Sequence, residues 1–172
     1  MHSKVARSQQ NTKMQALVQE LAHRKVNVED ATYDKISMAD YFSAAALTTI
    51  DIAGGPRALD EFVWGRKDAT QADLGNVDNI PTENNYRSNM EAKGFTNEEI
   101  VALASVEAFS VVQDPAKVRW LSNPVISNYY YKALLTGQDD LPLQNALLND
   151  ADLKEYVDKF AEDNKEYFAS FQ

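Results

Sequence analysis

The chain of 172 residues contains no cysteine and only two histidines. The lack of cysteine excludes thiol nucleophiles, disulfides, zinc ribbons and cysteine-ligated iron–sulfur clusters. The two histidines, His2 and His23, are the only imidazoles available as a general base or a metal ligand. Any chemistry that needs imidazole on two sides of a site is therefore restricted to these two positions.

Long apolar runs and an excess of positive charge are also missing. No apolar segment reaches the roughly 18 to 20 residues that cross a bilayer, so we expect no transmembrane segment. Membrane association would then have to run through protein partners. Acidic residues outnumber basic ones by 26 to 17, which gives a net charge of −9. Because phosphate binding needs clustered cations, nucleic acid is not an expected partner.

What is present is typical of a folded helical protein. Hydrophobic residues make up 44% of the chain and charged residues 25%, a globular composition. The spacing of Met14, Leu17, Val18 and Leu21 predicts an amphipathic helix. Residues 1–13 are polar and predict a flexible tail. We therefore expect one all-α domain over residues 14–172.

Capping signals place the other helices. Ser37 and Asp40 predict the start of a helix over residues 41–53 that is buried on most sides, and Gly54-Gly55-Pro56 predicts its end. Residues 62–66 predict a short strand or an extended segment within a loop-rich middle. Later helices are expected over residues 82–93, 100–112, 127–135, 146–148 and 150–171, the last as one long helix.

Several strings occur in an order and spacing that resemble the class I haem peroxidases, the ascorbate and cytochrome c peroxidase family. The resemblance covers residues 36–171. The strings are SMADYF at 37–42, GGP at 54–56, FVWGRKD at 62–68, GFTNEEIVAL at 94–103, WLSNP at 120–124, YYKALLTG at 130–137 and YVDKFAED at 156–163. The resemblance implies a haem-peroxidase-like fold, mainly its proximal, C-terminal half.

The resemblance also assigns positions to the family's chemistry. The histidine that binds the haem iron falls on Glu107, and the aspartate that orients this histidine falls on Ser127. Two metal-site threonines fall on Ala108 and Leu121, while Asn123 is retained. The segment before Ser37 lacks the pattern of arginine, tryptophan and histidine that the family uses on the distal side of the haem. We therefore expect no haem, no metal site and no catalytic residues.

Each residue singled out here has a structural alternative to its functional interpretation. His23 is a candidate ligand for a metal or haem, or a solvent-facing residue near a helix end. Glu107 is a buried acid with a raised pKa, or a partner of Lys117 or Arg119. Four aromatic residues are candidates for an electron-transfer path or for core and interface positions, and we favour the second interpretation. These are Trp120, Tyr129, Tyr130 and Tyr131.

The preferred functional hypothesis is a non-catalytic scaffold, a pseudo-peroxidase that binds other protein subunits. Loss of half of a haem-binding fold exposes apolar surface, which a stable protein repacks, pairs with a second copy or covers with a partner. By resemblance, we expect an accessory subunit of a large organellar assembly, associated with a photosystem in the plastid and possibly in the thylakoid lumen, or else in mitochondria. Two alternatives are a haem-binding peroxidase with an unusual ligand and a soluble regulator that binds a small molecule.

Overall fold

The computed structural model describes residues 15–27, 35–70, 81–110, 126–137, 141 and 143–172, without the side chains of 15, 26, 27 and 107–110. Every regular element within these ranges is helical, and none of them contains a strand. This confirms the predicted all-α, peroxidase-like fold class. Among the same residues, no helix has both the length and the apolar character needed to cross a bilayer.

Eight α-helices follow one another along the described ranges. They are α1 (Gln15–Asn27), α2 (Met38–Ile52), α3 (Tyr86–Glu91), α4 (Asn97–Ser110), α5 (Tyr129–Leu135), α6 (Gln144–Leu148), α7 (Ala151–Glu162) and α8 (Asn164–Phe171). One 3-10 turn, Ala58–Glu61, lies between α2 and α3.

Contacts divide the chain into two compact units. Unit 1 combines Met1–Thr49 with Ala58–Ile80, and unit 2 combines Ile50–Arg57 with Pro81–Gln172. The apolar core of unit 2 lies among α4, α5, α7 and α8. Its fully buried large side chains include Ile100, Tyr131, Leu147, Phe160 and Tyr167. The prediction of one domain over 14–172 stays a prediction.

Capping residues explain why several helices begin where they do. The Thr96 amide and hydroxyl both donate to Glu99 Oε2 at 2.8 Å, and the Glu99 amide donates to Thr96 Oγ1 at 3.3 Å. This is the reciprocal capping box that the sequence predicts for α4. Asp150 likewise accepts from the amides of Asp152 and Leu153 at the start of α7. At the end of α2, Gly54 adopts the predicted left-handed conformation with φ 84°.

Two expectations are wrong, and one of two alternatives for residues 62–66 is excluded. The predicted helix over 150–171 is broken at Asp163, whose backbone is extended and whose carboxylate accepts from the Lys165 amide to begin α8. Helix α2 is not buried on most sides, since Asp40 is its only buried residue and Ile52 is 82% exposed. Residues 62–66 form no strand but an irregular segment after the 3-10 turn.

Candidate functional site

The positions that the resemblance assigns to the haem ligand lie toward the C-terminal end of α4. Glu107 and Ala108 belong to the backbone of this helix, but their side chains lie outside the described residues. Trp120, Leu121, Asn123 and the predicted partners Lys117 and Arg119 also lie outside them, as does His2.

His23 is exposed on α1. Within the described ranges, no cluster of three or more histidine, aspartate or glutamate side chains is arranged to hold a metal ion.

Ser127 lies just before α5, where its hydroxyl has a local structural contact. The Tyr129 amide donates to Ser127 Oγ at 3.3 Å, in the first turn of the helix. The next residue, Asn128, is buried and ties this turn to α7. Its side-chain amide donates to the carbonyls of Phe160 at 2.9 Å and Ala161 at 3.1 Å. The segment is therefore fixed by contacts within the protein.

Tyr129, Tyr130 and Tyr131 have different surroundings. Tyr129 is 47% exposed, whereas Tyr130 and Tyr131 are buried almost completely. The Tyr131 ring packs edge-on against Tyr130, Phe160 and Tyr167, with ring centroids 5.1 to 5.3 Å apart. Such edge-to-face contacts stabilise aromatic cores. The buried members of the triplet thus form part of the core of unit 2.

Hydroxyl groups of this core bind successive carbonyls of α4. Tyr86 donates to Ile100 O at 3.0 Å, and Tyr131 donates to Val101 O at 2.9 Å and Ala102 O at 3.0 Å. Helix carbonyls keep a second lone pair after accepting their intrahelical bond, so they can accept these phenols as well. The first half of α4 is therefore held by side chains from α3 and α5.

Burial keeps the phenols of this core neutral. It raises the pKa of Tyr131 well above its usual value, and it raises the pKa of Tyr167 to about 12 against the opposite effect of the hydrogen bond to Ser105. The hydroxyls of Ser105 and Tyr167 lie 2.7 Å apart. At neutral pH both phenols are protonated, which suits a structural role better than acid–base exchange.

Two ionic clusters connect the helices of unit 2. The Arg87 guanidinium of α3 donates to Glu91, Asp150 and Asp152. These hydrogen bonds, Glu91 first, hold the pKa of Arg87 above its usual value. This cluster connects α3 to the start of α7.

The second cluster is centred on Glu98 of α4. Its carboxylate accepts from Lys159 Nζ at 2.8 Å and Ser170 Oγ at 2.6 Å, which lowers its pKa. No helical spacing in the sequence indicates the contact between Lys159 and Glu98, because the two residues are 61 positions apart.

Unit 1 contains an exposed apolar pair that sequence reasoning missed. Val63 is 76% exposed and Trp64 is 52% exposed. We call residues 62–66 the tip loop. The Phe62 ring packs edge-on against the Trp64 ring with centroids 4.7 Å apart, and the Arg66 guanidinium lies 4.7 Å from the Phe62 centroid. The string FVWGRKD contained the signal, since two large apolar residues precede a glycine and two bases.

Asp40 holds the tip loop in one conformation. Its buried carboxylate accepts from the Gly65 amide at 2.7 Å, the Arg66 amide at 3.3 Å and Arg66 Nη1 at 3.1 Å. The Gly65 bond is the main cause that lowers the pKa of Asp40, and Arg66 adds to it against the effect of burial. The sequence assigned Asp40 to its own helix start, and it does lie there, but its oxygens bind the loop instead.

Asp68 completes the anchor, because it accepts from the Ala39 amide at 2.8 Å. Arg66 and Asp68 therefore both tie the loop to the start of α2.

The donor set at the two assigned positions does not fit a histidine-ligated haem. Such a site needs a neutral imidazole on iron and a carboxylate that accepts its second N–H group. This chain has a carboxylic acid, Glu107, at the first position and a hydroxyl, Ser127, at the second. A serine hydroxyl carries no charge to raise the basicity of a ligand, and this one already accepts from a backbone amide.

Comparison with known proteins gives consistent relatives. A family model described as peroxidase matches residues 2–163. The match therefore begins well before residue 36, where the resemblance in the sequence began, and it ends before α8.

Three curated relatives illustrate the similarity. A protein of Arabidopsis thaliana provisionally named L-ascorbate peroxidase 6 is 30% identical over 167 residues, covering 88% of this chain and 46% of the relative. The peroxisomal L-ascorbate peroxidase 5 of the same plant is 28% identical, covering 82% and 53%. A protein of Cryptococcus neoformans provisionally named a heme-binding peroxidase is 30% identical, covering 79% and 48%.

This chain spans about half the length of these relatives. The family model nevertheless matches most of the chain, residues 2–163. The chain therefore belongs to the peroxidase family, as a relative of the class I ascorbate peroxidases.

Proposed function

We propose that this chain is a haem-free, non-catalytic member of the peroxidase family that acts by binding other proteins. The observation that carries the proposal is the pair of replacements at the ligand positions, Glu107 for the histidine and Ser127 for the aspartate. Replacement of both members removes the axial ligand together with the group that would orient it. Replacement of either one alone would leave part of the arrangement.

Contacts in unit 2 support a structural rather than a catalytic role. Ser127 accepts from a helix amide, and Asn128 beside it donates to two carbonyls of α7. The phenols of Tyr131 and Tyr167 are neutral donors inside a packed aromatic core. These groups make contacts within and between helices of unit 2, which is the role expected of a scaffold.

The specific form of the proposal is an accessory subunit of a large organellar assembly, with a plastid photosystem as the favoured case. The motivation is that the chain keeps the family's fold although the residues at the haem-ligand positions are replaced. Because one relative is named as peroxisomal, the test includes that compartment. Plastid, mitochondrial and peroxisomal fractions from the source organism are resolved under native conditions, and the chain is located with an antibody.

We expect the chain to migrate with a large plastid complex. Migration with a complex of another organelle would refute the photosystem assignment but keep the subunit role. Migration of the native chain at its monomer mass in every fraction would refute the subunit role.

A second candidate is a haem-binding peroxidase with an unusual ligand. The name of the Cryptococcus relative as a heme-binding peroxidase favours it. His23 is the described histidine that could serve, since it is exposed on α1. A Soret band that disappears in the His23→Ala variant, together with peroxide turnover, would establish this candidate. The same spectrum without such a band would support the haem-free proposal.

A further inference from the structure

We infer that the tip loop, residues 62–66, is the surface through which this chain binds its partner, and that the partner provides an apolar pocket rimmed by lysine and arginine residues. The inference rests on the proposed function as a binding subunit and names its binding surface. Val63 and Trp64 are the side chains that would enter the pocket, and Asp40 is a positioning residue that acts through Gly65 and Arg66.

The first support is the combination of exposure and order. Val63 and Trp64 are among the most exposed large apolar side chains of the described residues. The backbone amides of Gly65 and Arg66, which follow them, donate two hydrogen bonds to Asp40, and the Arg66 guanidinium donates a third. Arg66 Nη1 also donates to Val63 O at 2.6 Å. A loop held rigid in its exposed form loses little conformational entropy on binding. Tryptophan is also over-represented among the residues that dominate binding energy.

The second support is the size of the apolar area. A tryptophan contributes about 150 to 250 Å² when fully buried, and Trp64 is already half covered. The tip loop therefore offers far less than the roughly 800 Å² per partner of a stable interface. Two copies that met only through this loop would not form a stable dimer. A concave partner that surrounds the loop and contacts its flanks would have enough area.

The third support is the charge of the flanks. The Asp40–Arg66 ion pair, with N and O 3.1 Å apart, cancels within the loop. Glu61 and Asp68 on the two flanks are acidic and Lys67 is basic, which leaves an excess of one negative charge among these three residues. The whole chain carries −9. This charge complements a basic rim and opposes an anionic lipid or a nucleic acid.

The test is rebinding of the purified full chain to its own assembly after the native chain has been stripped from it. The test variant is Trp64→Ser. The matched control is Ile52→Ser, which removes an equally apolar side chain that is 82% exposed in unit 2. Thermal unfolding of both variants establishes that each is folded before binding is compared.

We expect Trp64→Ser to weaken rebinding about tenfold or more, as removal of a central anchor does, and Ile52→Ser to leave it unchanged. Asp40→Asn should weaken rebinding less and should alter Trp64 fluorescence in a Trp120→Phe background, because the loop is released while both apolar side chains remain. A rise in salt should slow association with the basic rim.

Other occupants give different results. Self-association of the wild-type chain that Trp64→Ser abolishes would assign the loop to a second copy and overturn the inference. Flotation of the chain with vesicles of phosphatidylcholine and phosphatidylglycerol, lost in the same variant, would assign it to lipid. Rebinding that is equal for wild type and Trp64→Ser would overturn the loop assignment but keep the subunit role. A chain that has no assembly to rebind would refute the proposed function itself.

Discussion

The hydroxyl of Tyr131 on α5 lies 2.9 Å from the carbonyl oxygen of Val101 on α4 and donates a hydrogen bond to it. The same hydroxyl also lies 3.0 Å from Ala102 O. Because Tyr131 is fully buried, these bonds join two helices at a site that water does not reach. The Val101 and Ala102 carbonyls belong to the helix that carries Glu107, the residue that the resemblance assigns to the haem-ligand position. Hydrogen bonds from side chains of α3 and α5 thus help to position helix α4.

Removal of this hydroxyl should destabilise the protein. We expect Tyr131→Phe to lower the free energy of unfolding by about 1 kcal/mol, the net contribution of a typical hydrogen bond. The matched control is Tyr129→Phe, because Tyr129 is 47% exposed and should change stability by less than about 0.5 kcal/mol. Urea unfolding followed by circular dichroism measures both. An equal loss of unfolding free energy in the two variants would contradict the hydrogen bonds assigned to the Tyr131 hydroxyl.

Alkaline pH should weaken the same core. Burial raises the pKa of Tyr167 from its usual value of 10.0 to about 12. A group with a raised pKa in the folded state contributes stability that is complete below its unfolded value and is lost as pH rises. We therefore expect the free energy of unfolding to fall between about pH 10 and pH 12. Urea midpoints across this range measure it, and Tyr167→Phe should reduce the slope. A flat profile would contradict the burial of this phenol.

Acid pH should weaken the cluster around Glu98. The pKa of Glu98 is lowered from 4.5 by Lys159 first and then by Ser170. Stability from a lowered carboxylate pKa is present above the unfolded value and is lost as pH falls through the folded value. We expect Glu98→Gln to flatten the acid limb of the stability profile, and Glu155→Gln, an exposed glutamate on α7, to leave it unchanged. Thermal midpoints at a series of acid pH values distinguish them, and matching profiles for the two variants would refute the cluster.

The turn after α2 should not tolerate a side chain at Gly55. A Cβ atom there would lie 2.7 Å from Ile50 Cγ2, 3.0 Å from Ile50 O and 3.3 Å from Ile126 Cδ1. Because one of these neighbours is backbone, the strain cannot be relieved by rotation of a side chain alone. We expect Gly55→Ala to lower the free energy of unfolding by about 1 to 3 kcal/mol, as overpacking does.

Ile126→Val should not rescue this variant, since the two nearer contacts belong to Ile50. Chemical unfolding measures both variants. Wild-type stability of Gly55→Ala would contradict the packing at this turn.

Local signals in the sequence predicted the parts of the fold that depend on neighbouring residues. The Thr96–Glu99 capping box and the left-handed glycine at Gly54 were correct, since both act within four residues. The break at Asp163 was missed, because the spacing of apolar residues continues from α7 into α8 and gives no sign of the extended residue between them.

Long-range contacts could not be predicted in the same way. The acid at Asp40 was expected to serve its own helix, but it binds amides 25 and 26 residues away. No periodicity or capping pattern indicates such a partner. The resemblance assigns Glu107 and Ser127 to the ligand positions from sequence alone. The hydrogen bond from the Tyr129 amide to Ser127 Oγ is visible only in the structure.

The haem content of the protein purified from its source tests the central claim most directly. The native chain is isolated without added haem, and its haem is quantified as the pyridine haemochrome relative to protein concentration. Our account predicts no stoichiometric haem and no Soret band, because Glu107 and Ser127 replace the ligand and its orienting acid. One haem per chain would contradict it and would make this protein a haem-binding peroxidase with an unusual ligand.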